Sequence, residues 1–224
     1  MRTVSSSKEP LKWISRLEHP ALPPRPELWA TPPLIPRQLP PSALQLNPFL
    51  QHRPFGRPPV LFDMRLFTAD ILLGELPREE GDERPLRADF EEWGPDGSQP
   101  ATWPGVPSLY ISALADDAFP KFPWPILVIP HHPSLPVLVR HVFNALIANF
   151  EERVKEDEME ALSEERRGLV TRAYYTRLET RVGGRLPGDE DGVRRIDYLG
   201  DQVYFRGLEP APDGDGFMMF VGSA

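Results

Sequence analysis

Fourteen of the chain's 29 prolines fall between Pro10 and Pro59, and the longest proline-free run in that stretch is nine residues. Each proline fixes its own φ, removes a backbone donor and pushes the residue before it out of the α region. Neither a helical nor a strand period can be sustained there. The length of 224 residues alone admits one large domain or a domain with an appendage. The proline distribution selects the second, with a proline-rich basic tail or strap over 1–43 and a single folded domain over 44–224. From about Val60 onward the chain is long enough to bury roughly two thirds of its unfolded surface and hold a real core.

Charge follows the same division. Residues 1–59 carry eight Lys or Arg against three Glu, and residues 60–224 carry 17 against 30, so the parts are +5 and −13. An acidic body repels phosphate backbones, which disfavours nucleic-acid binding through the folded part. Cysteine is absent, which removes disulfides, thiolate zinc sites and a cysteine nucleophile together. Met1 to Lys12 is polar, with no apolar run like the core of a signal peptide. No segment approaches the ~18 apolar residues needed to cross a bilayer. Cytosol or nucleus is the expected compartment, and no membrane partner is expected.

From Pro20 to Pro41 the residues read as polyproline II or irregular extended chain. Pro20, Pro23 and Arg25 make a P-x-x-P-x-R pattern of the kind that aromatic-lined grooves accept, although a tract this rich in proline also produces it by chance.

The body reads as strands, then two helices, then strands. Pro59 to Phe67 alternates, with Val60, Phe62, Met64 and Leu66 on one face and Leu61, Asp63, Arg65 and Phe67 on the other. Residues 74–105 carry charge, Gly and Pro without a period and read mostly as loop. Strands follow within Ser108 to Leu114 and Ile126 to Ile129. Ser134 caps a helix whose apolar positions Leu135, Leu138, Val139, Val142, Leu146, Ile147 and Phe150 keep helical spacing. Ser163 starts a second helix with a stripe of Leu169, Val170, Ala173, Tyr174 and Leu178, stopped by Gly183-Gly184. Val193 to Leu199, Gln202 to Phe205 and Gly216 to Val221 close the chain as strands. The expected fold is α+β, a largely antiparallel sheet of four to six strands with two main helices on one face.

The order of short motifs resembles a fungal family of uncharacterised proteins, a domain of unknown function. The residues that carry the resemblance are Leu46-Asn47-Pro48 with Leu50, Pro58-Pro59 leading into Leu61, Asp63 and Arg65, and Phe122-Pro123-Trp124-Pro125-Ile126. Further on come Ala173-Tyr174 with Arg177, Gly192-Val193-Arg194-Arg195-Ile196-Asp197-Tyr198-Leu199, and Phe205 with Gly207-Leu208. The resemblance implies an α+β domain and a fungal source, with no established activity, cofactor or catalytic residue.

Among candidate sites, Asp63 with Arg65 and Arg195 with Asp197 each share a strand face. As antiparallel neighbours the two strands would pair these charges crosswise on the uncovered face of the sheet, either as a structural feature or as a polar ligand site. His131, His132 and His141 would need to converge with a carboxylate to bind a metal. The first two point apart if extended, and a polar, half-buried structural role is expected for His141. No cofactor is expected, since no nucleophile elbow or phosphate-binding glycine loop is present. Asp213 and Asp215 suit a hairpin turn. Trp103 and Trp124 sit among prolines as core lids, or, if exposed in one patch, as an interface. The function expected from these features is a non-catalytic protein-interaction or scaffold module with a protein partner. The alternative is a small-ligand-binding protein or enzyme using the Asp/Arg cluster.

Overall fold

The structure, a computed structural model, describes residues 39–55, 58–66, 71–73, 97–115, 122–133, 135–180 and 192–223. Among the described residues there are eight strands: β1 (Gln45–Leu46), β2 (Val60–Asp63), β3 (Leu72–Leu73), β4 (Thr102–Trp103), β5 (Leu109–Leu114), β6 (Ile126–Val128), β7 (Tyr204–Pro210) and β8 (Phe217–Gly222). The helices are α1 (Val139–Glu151), α2 (Glu156–Glu160) and α3 (Glu164–Thr180), with a 3-10 helix at Arg195–Leu199. The class is α+β, as expected. Six strands form one sheet in the order β3-β2-β7-β8-β5-β6, and β1 pairs with β4 in a small second one. The main sheet is mixed, because β5 and β8 run parallel while its other ladders are antiparallel.

One face of the sheet is the core. Phe62 of β2, Ile111 of β5, Phe205 of β7 and Met219 of β8 are all buried and meet the apolar stripe of α1. Phe143 of α1 packs edge-on against Phe62 at 5.3 Å and Phe205 at 5.5 Å between ring centres, a geometry worth about 0.5–1.5 kcal/mol per pair beyond the burial itself. A second aromatic group docks the 3-10 helix, with Tyr198 edge-on to Trp124 at 5.3 Å and to Phe122 at 6.3 Å. The helix α3 rests on this 3-10 segment rather than on the sheet. Of its expected stripe Val170 is buried, Ala173, Tyr174 and Leu178 are half-buried and Leu169 is exposed. Its anchor is largely polar: the Arg166 guanidinium lies 4.5 Å above the Tyr198 ring.

Three elements depart from their sequence expectation. The first helix starts at Val139, not near Leu135. Residues before it are held extended, because Val137 accepts from Ala101 N–H and donates to the Val106 carbonyl, each at 2.8 Å, and Leu138 bridges Pro100. Strand β2 stops at Asp63, where the carboxylate accepts the Arg65 N–H at 3.0 Å and turns the chain. Arg195–Leu199 is 3-10 helix instead of strand. The expected cap Ser134, the stop Gly183-Gly184 and the motif residues Pro20, Pro23 and Arg25 lie outside the described residues.

Residues 39–55 form a strap joined to β7, where Leu208 N–H donates to the Leu50 carbonyl and His52 N–H to the Leu208 carbonyl. Asn47, fully buried, ties this strap down: its Nδ2 donates to Pro100 O at 3.0 Å and to Gln99 Oε1 at 3.3 Å, and its Oδ1 accepts the Phe49 N–H at 3.0 Å. Further along, His52 stacks flat on Phe220 of β8 at 3.7 Å and binds Glu209 of β7 at 2.7 Å. The β7–β8 connection is the expected hairpin turn, with Asp213 Oδ1 accepting the Asp215 N–H at 3.0 Å.

Candidate functional site

The two acid–arginine pairs expected to meet across neighbouring strands do not do so. The neighbours of β2 are β3 and β7, and Arg195 and Asp197 are on the 3-10 helix. Asp63 and Arg65 instead pair with each other, Nε to Oδ1 at 2.9 Å and Nη2 to Oδ2 at 2.6 Å. The hydrogen-bonded Asp63 carboxylate holds the Arg65 guanidinium above its ordinary pKa. Asp197 reaches back to accept the Arg194 N–H at 2.8 Å. It is also clamped from α3 by Arg177, Nε to Oδ1 at 2.7 Å and Nη2 to Oδ2 at 2.8 Å. A carboxylate that caps its own backbone and holds a charge from a helix cannot also alternate in a ladder. Arg195 points away to Glu152 at 2.5 Å and Glu158 at 3.4 Å, 5.3 Å from the centre of the Trp124 ring.

What comes together is a different set. Asp63, Arg65, Glu151, Arg177 and Arg194 line a cleft of about 320 Å³ with Phe150 at its apolar side. Arg177 and Arg194 belong to motifs that carried the family resemblance, yet nothing in their spacing tied them to Asp63. The link is the docking of α3 and the 3-10 helix, a long-range event with no local signature.

Of the two tryptophans considered as interface residues, Trp124 is only 4 % exposed and packs between Phe122 and Tyr198. It is a core residue, because its two flanking prolines point outward and turn the indole in. Trp103 is half-buried on β4.

Over residues 5–215 the chain matches the model of a family described as a family of unknown function, DUF6699. The chain belongs to that family. No curated protein and no solved structure matches it. The match begins ahead of Pro10 and so spans the proline-rich stretch as well as the domain. Among the described residues of this DUF6699 chain no helix is long and apolar enough to cross a membrane, and no group of three or more His, Asp or Glu is placed to hold a metal.

Two of the histidines do converge. His141, in the first turn of α1, accepts the Leu138 N–H on Nδ1 at 3.0 Å and meets His131 Nδ1 through Nε2 at 2.8 Å. Burial, then the positive charge of Arg140, then His131, push its pKa down to about 4. A base with a depressed folded pKa stays neutral in the fold while the unfolded chain takes up its proton below about pH 6.5. Stability is therefore full above pH 6.5 and falls as pH drops towards 4. After discounting for screening through the exposed His131, the loss from this group is about 1–2 kcal/mol. His141→Gln keeps an acceptor for the Leu138 N–H and lacks the titration. Urea midpoints at pH 7 and pH 5 should differ less for this variant than for the parent, and an equal difference would remove His141 as the cause.

Another cavity lies beside the edge strand β6. A groove of about 460 Å³ runs between the strap residues Leu39, Pro41 and Leu44 and the sheet residues Tyr110, Leu127 and Phe217. On the edge strand β6, Ile126 and Val128 are buried against the core. Leu127 is 61 % exposed and Ile129, just beyond the strand, 63 %.

Proposed function

We propose that this chain is a protein-interaction module that seats an extended, basic and apolar peptide of a partner in the groove beside β6. The carrying observation is the pair Leu127, on edge strand β6, and Ile129, just beyond it, two large apolar side chains open to solvent, of which Leu127 lines the groove. Isolated exposed leucines are ordinary; two aligned with a groove mark a contact surface. The strand is three residues long and stands between Pro125 and Pro130, features that blunt an edge against strand addition. The partner is therefore gripped through side chains and not as an extra strand. Its sign follows from the −13 charge of residues 60–224 and from the exposed Asp213 and Asp215 of the turn near the groove's end.

The test is a random-peptide selection on the full chain, with affinities of the winners measured on the parent and on a Leu127→Ser, Ile129→Ser double variant. Basic, leucine-bearing winners should lose about tenfold or more in affinity on the variant. Thermal unfolding should be nearly unchanged, since exposed positions rarely move stability by more than about 0.5 kcal/mol. Equal binding to both proteins, or acidic winners, would sink the proposal. Competition by a synthetic peptide of residues 1–38 at equal affinity would transfer the groove to the chain's own N-terminal segment. The small-ligand alternative draws on the Asp63–Arg65 cleft, but there Asp63 and Asp197 already neutralise Arg65 and Arg177.

A further inference from the structure

We infer that the first turn of α1 carries an oxyanion site, in which Arg140 and His131 hold a tetrahedral anion of the phosphate class.

The anomaly is Arg140. It is only 6 % exposed, and its Nη1 is buried without any hydrogen-bond acceptor. The one side-chain contact of its guanidinium among the described residues is Nη2 to His131 Nδ1, at 3.5 Å. A buried cation without a counter-charge costs several kcal/mol. Elsewhere the same fold meets that cost with carboxylates, giving Asp197 to Arg177 and Glu152 and Glu158 to Arg195. Arg140 has none. Its position compounds the cost, because it is the second residue of a 13-residue helix with no acid in its first turn. A helix N-terminus is positive and repels a cation. A guanidinium buried there is explained by a negative group that joins it.

The hydrogen-bond pattern says what would hold that group. The first helical amides are already taken, Val139 N–H by Gln99 O at 2.9 Å and Arg140 N–H by Gly97 O at 3.2 Å. The grip must come from side chains. His141 accepts the Leu138 N–H on Nδ1, so its proton is on Nε2 and is donated to His131 Nδ1. With its Nδ1 accepting, His131 presents Nε2–H on an exposed ring. The donors left for a ligand include the two Arg140 Nη1–H groups and His131 Nε2–H. Because Nη2 is turned to His131, the two-pronged guanidinium edge that suits a planar carboxylate is partly used. Donors from two separate groups suit a tetrahedral oxyanion. After burial, the charge of Arg140 is the next cause of the suppressed protonation of His141.

The experiment is an NMR titration of the full chain with inorganic phosphate against chloride at matched ionic strength. It follows the imidazole signals of His131, His141 and the distant His52. Phosphate should shift His131 and His141 saturably, leave His52 unmoved, and raise the pKa of His141 by about one unit as the local charge is neutralised. Acetate should act at least about tenfold more weakly. Arg140→Met, similar in bulk and neutral, should fold with an equal or higher melting temperature in phosphate-free buffer and lose the phosphate response about tenfold or more. His131→Ala, at an exposed position, should stay folded and weaken the response several-fold. A linear response with no saturation is an adventitious ion only and overturns the site. So do a phosphate response unchanged in Arg140→Met and an acetate response equal to that of phosphate. Loss of folding in Arg140→Met overturns it as well, since it would mean that the guanidinium already has an internal counter-charge.

Discussion

Asp197→Ala should lower the unfolding free energy by about 3–5 kcal/mol, the cost of leaving one member of a buried ion pair without its partner. The Asp197 side chain is 2 % exposed and that of Arg177 12 %, and both carboxylate oxygens are engaged by the guanidinium. The same carboxylate accepts the Arg194 N–H, so the substitution also uncaps the 3-10 helix that carries Tyr198 into the aromatic group. A contrasting variant is Arg65→Ala. Its pair with Asp63 is just as short, at 2.6 Å, but the Arg65 side chain is 44 % exposed, and such a pair is worth about 0–1 kcal/mol. Urea denaturation of the two variants should separate them clearly. A cost for Asp197→Ala of only about 1 kcal/mol would mean that the clamp is solvated and that α3 is held mainly by its apolar contacts.

Gly207→Ala should be the other severe substitution, costing at least about 3 kcal/mol, from overpacking combined with a backbone conformation that side chains resist. Gly207 sits in β7 with φ at +124°, and a Cβ there would lie under 3.0 Å from backbone atoms of Gln51 and His52. Those atoms cannot swing aside as the end of a side chain could. The strap would have to lift off the sheet, and with it the bridge from Gln51 to Leu208 and the stack of His52 on Phe220. The check is thermal unfolding with tryptic cleavage at Arg53 as a second reading. A lifted strap is cut faster than the domain unfolds. An unchanged melting temperature would show that the strap crosses β7 loosely. Because the strap forms one wall of the β6 groove, this variant should also weaken the proposed peptide partner, which links a packing defect to function.

The candidate sites were legible in unequal measure. Asp63, Arg65, Arg195 and Asp197 stand out as charged residues in otherwise apolar runs, and each is indeed engaged in an ion pair. Who pairs with whom was not legible. Alternation along Val193 to Leu199 is equally compatible with a strand and with a short tight helix, and the choice was made by Arg177 arriving from α3. Arg140 was hidden for the opposite reason, since an arginine in the first turn of an amphipathic helix reads as a surface residue until its neighbours bury it.

What the residues by themselves determined is the class and the local elements whose signal is periodic. The alternation of Leu109 to Leu114, the apolar stripe of α1 and the hairpin at Asp213 to Gly216 all follow from side-chain spacing and backbone sterics within one segment. Tertiary structure decided what depends on partners distant in the chain. It delayed α1 to Val139 by pairing residues 137–138 with 100–106. It also made β8 run parallel to β5 and, of the two readings open for Trp124, selected the core one. These outcomes rest on hydrogen bonds and charges that a segment can satisfy in more than one way, and only the complete packing selects among them.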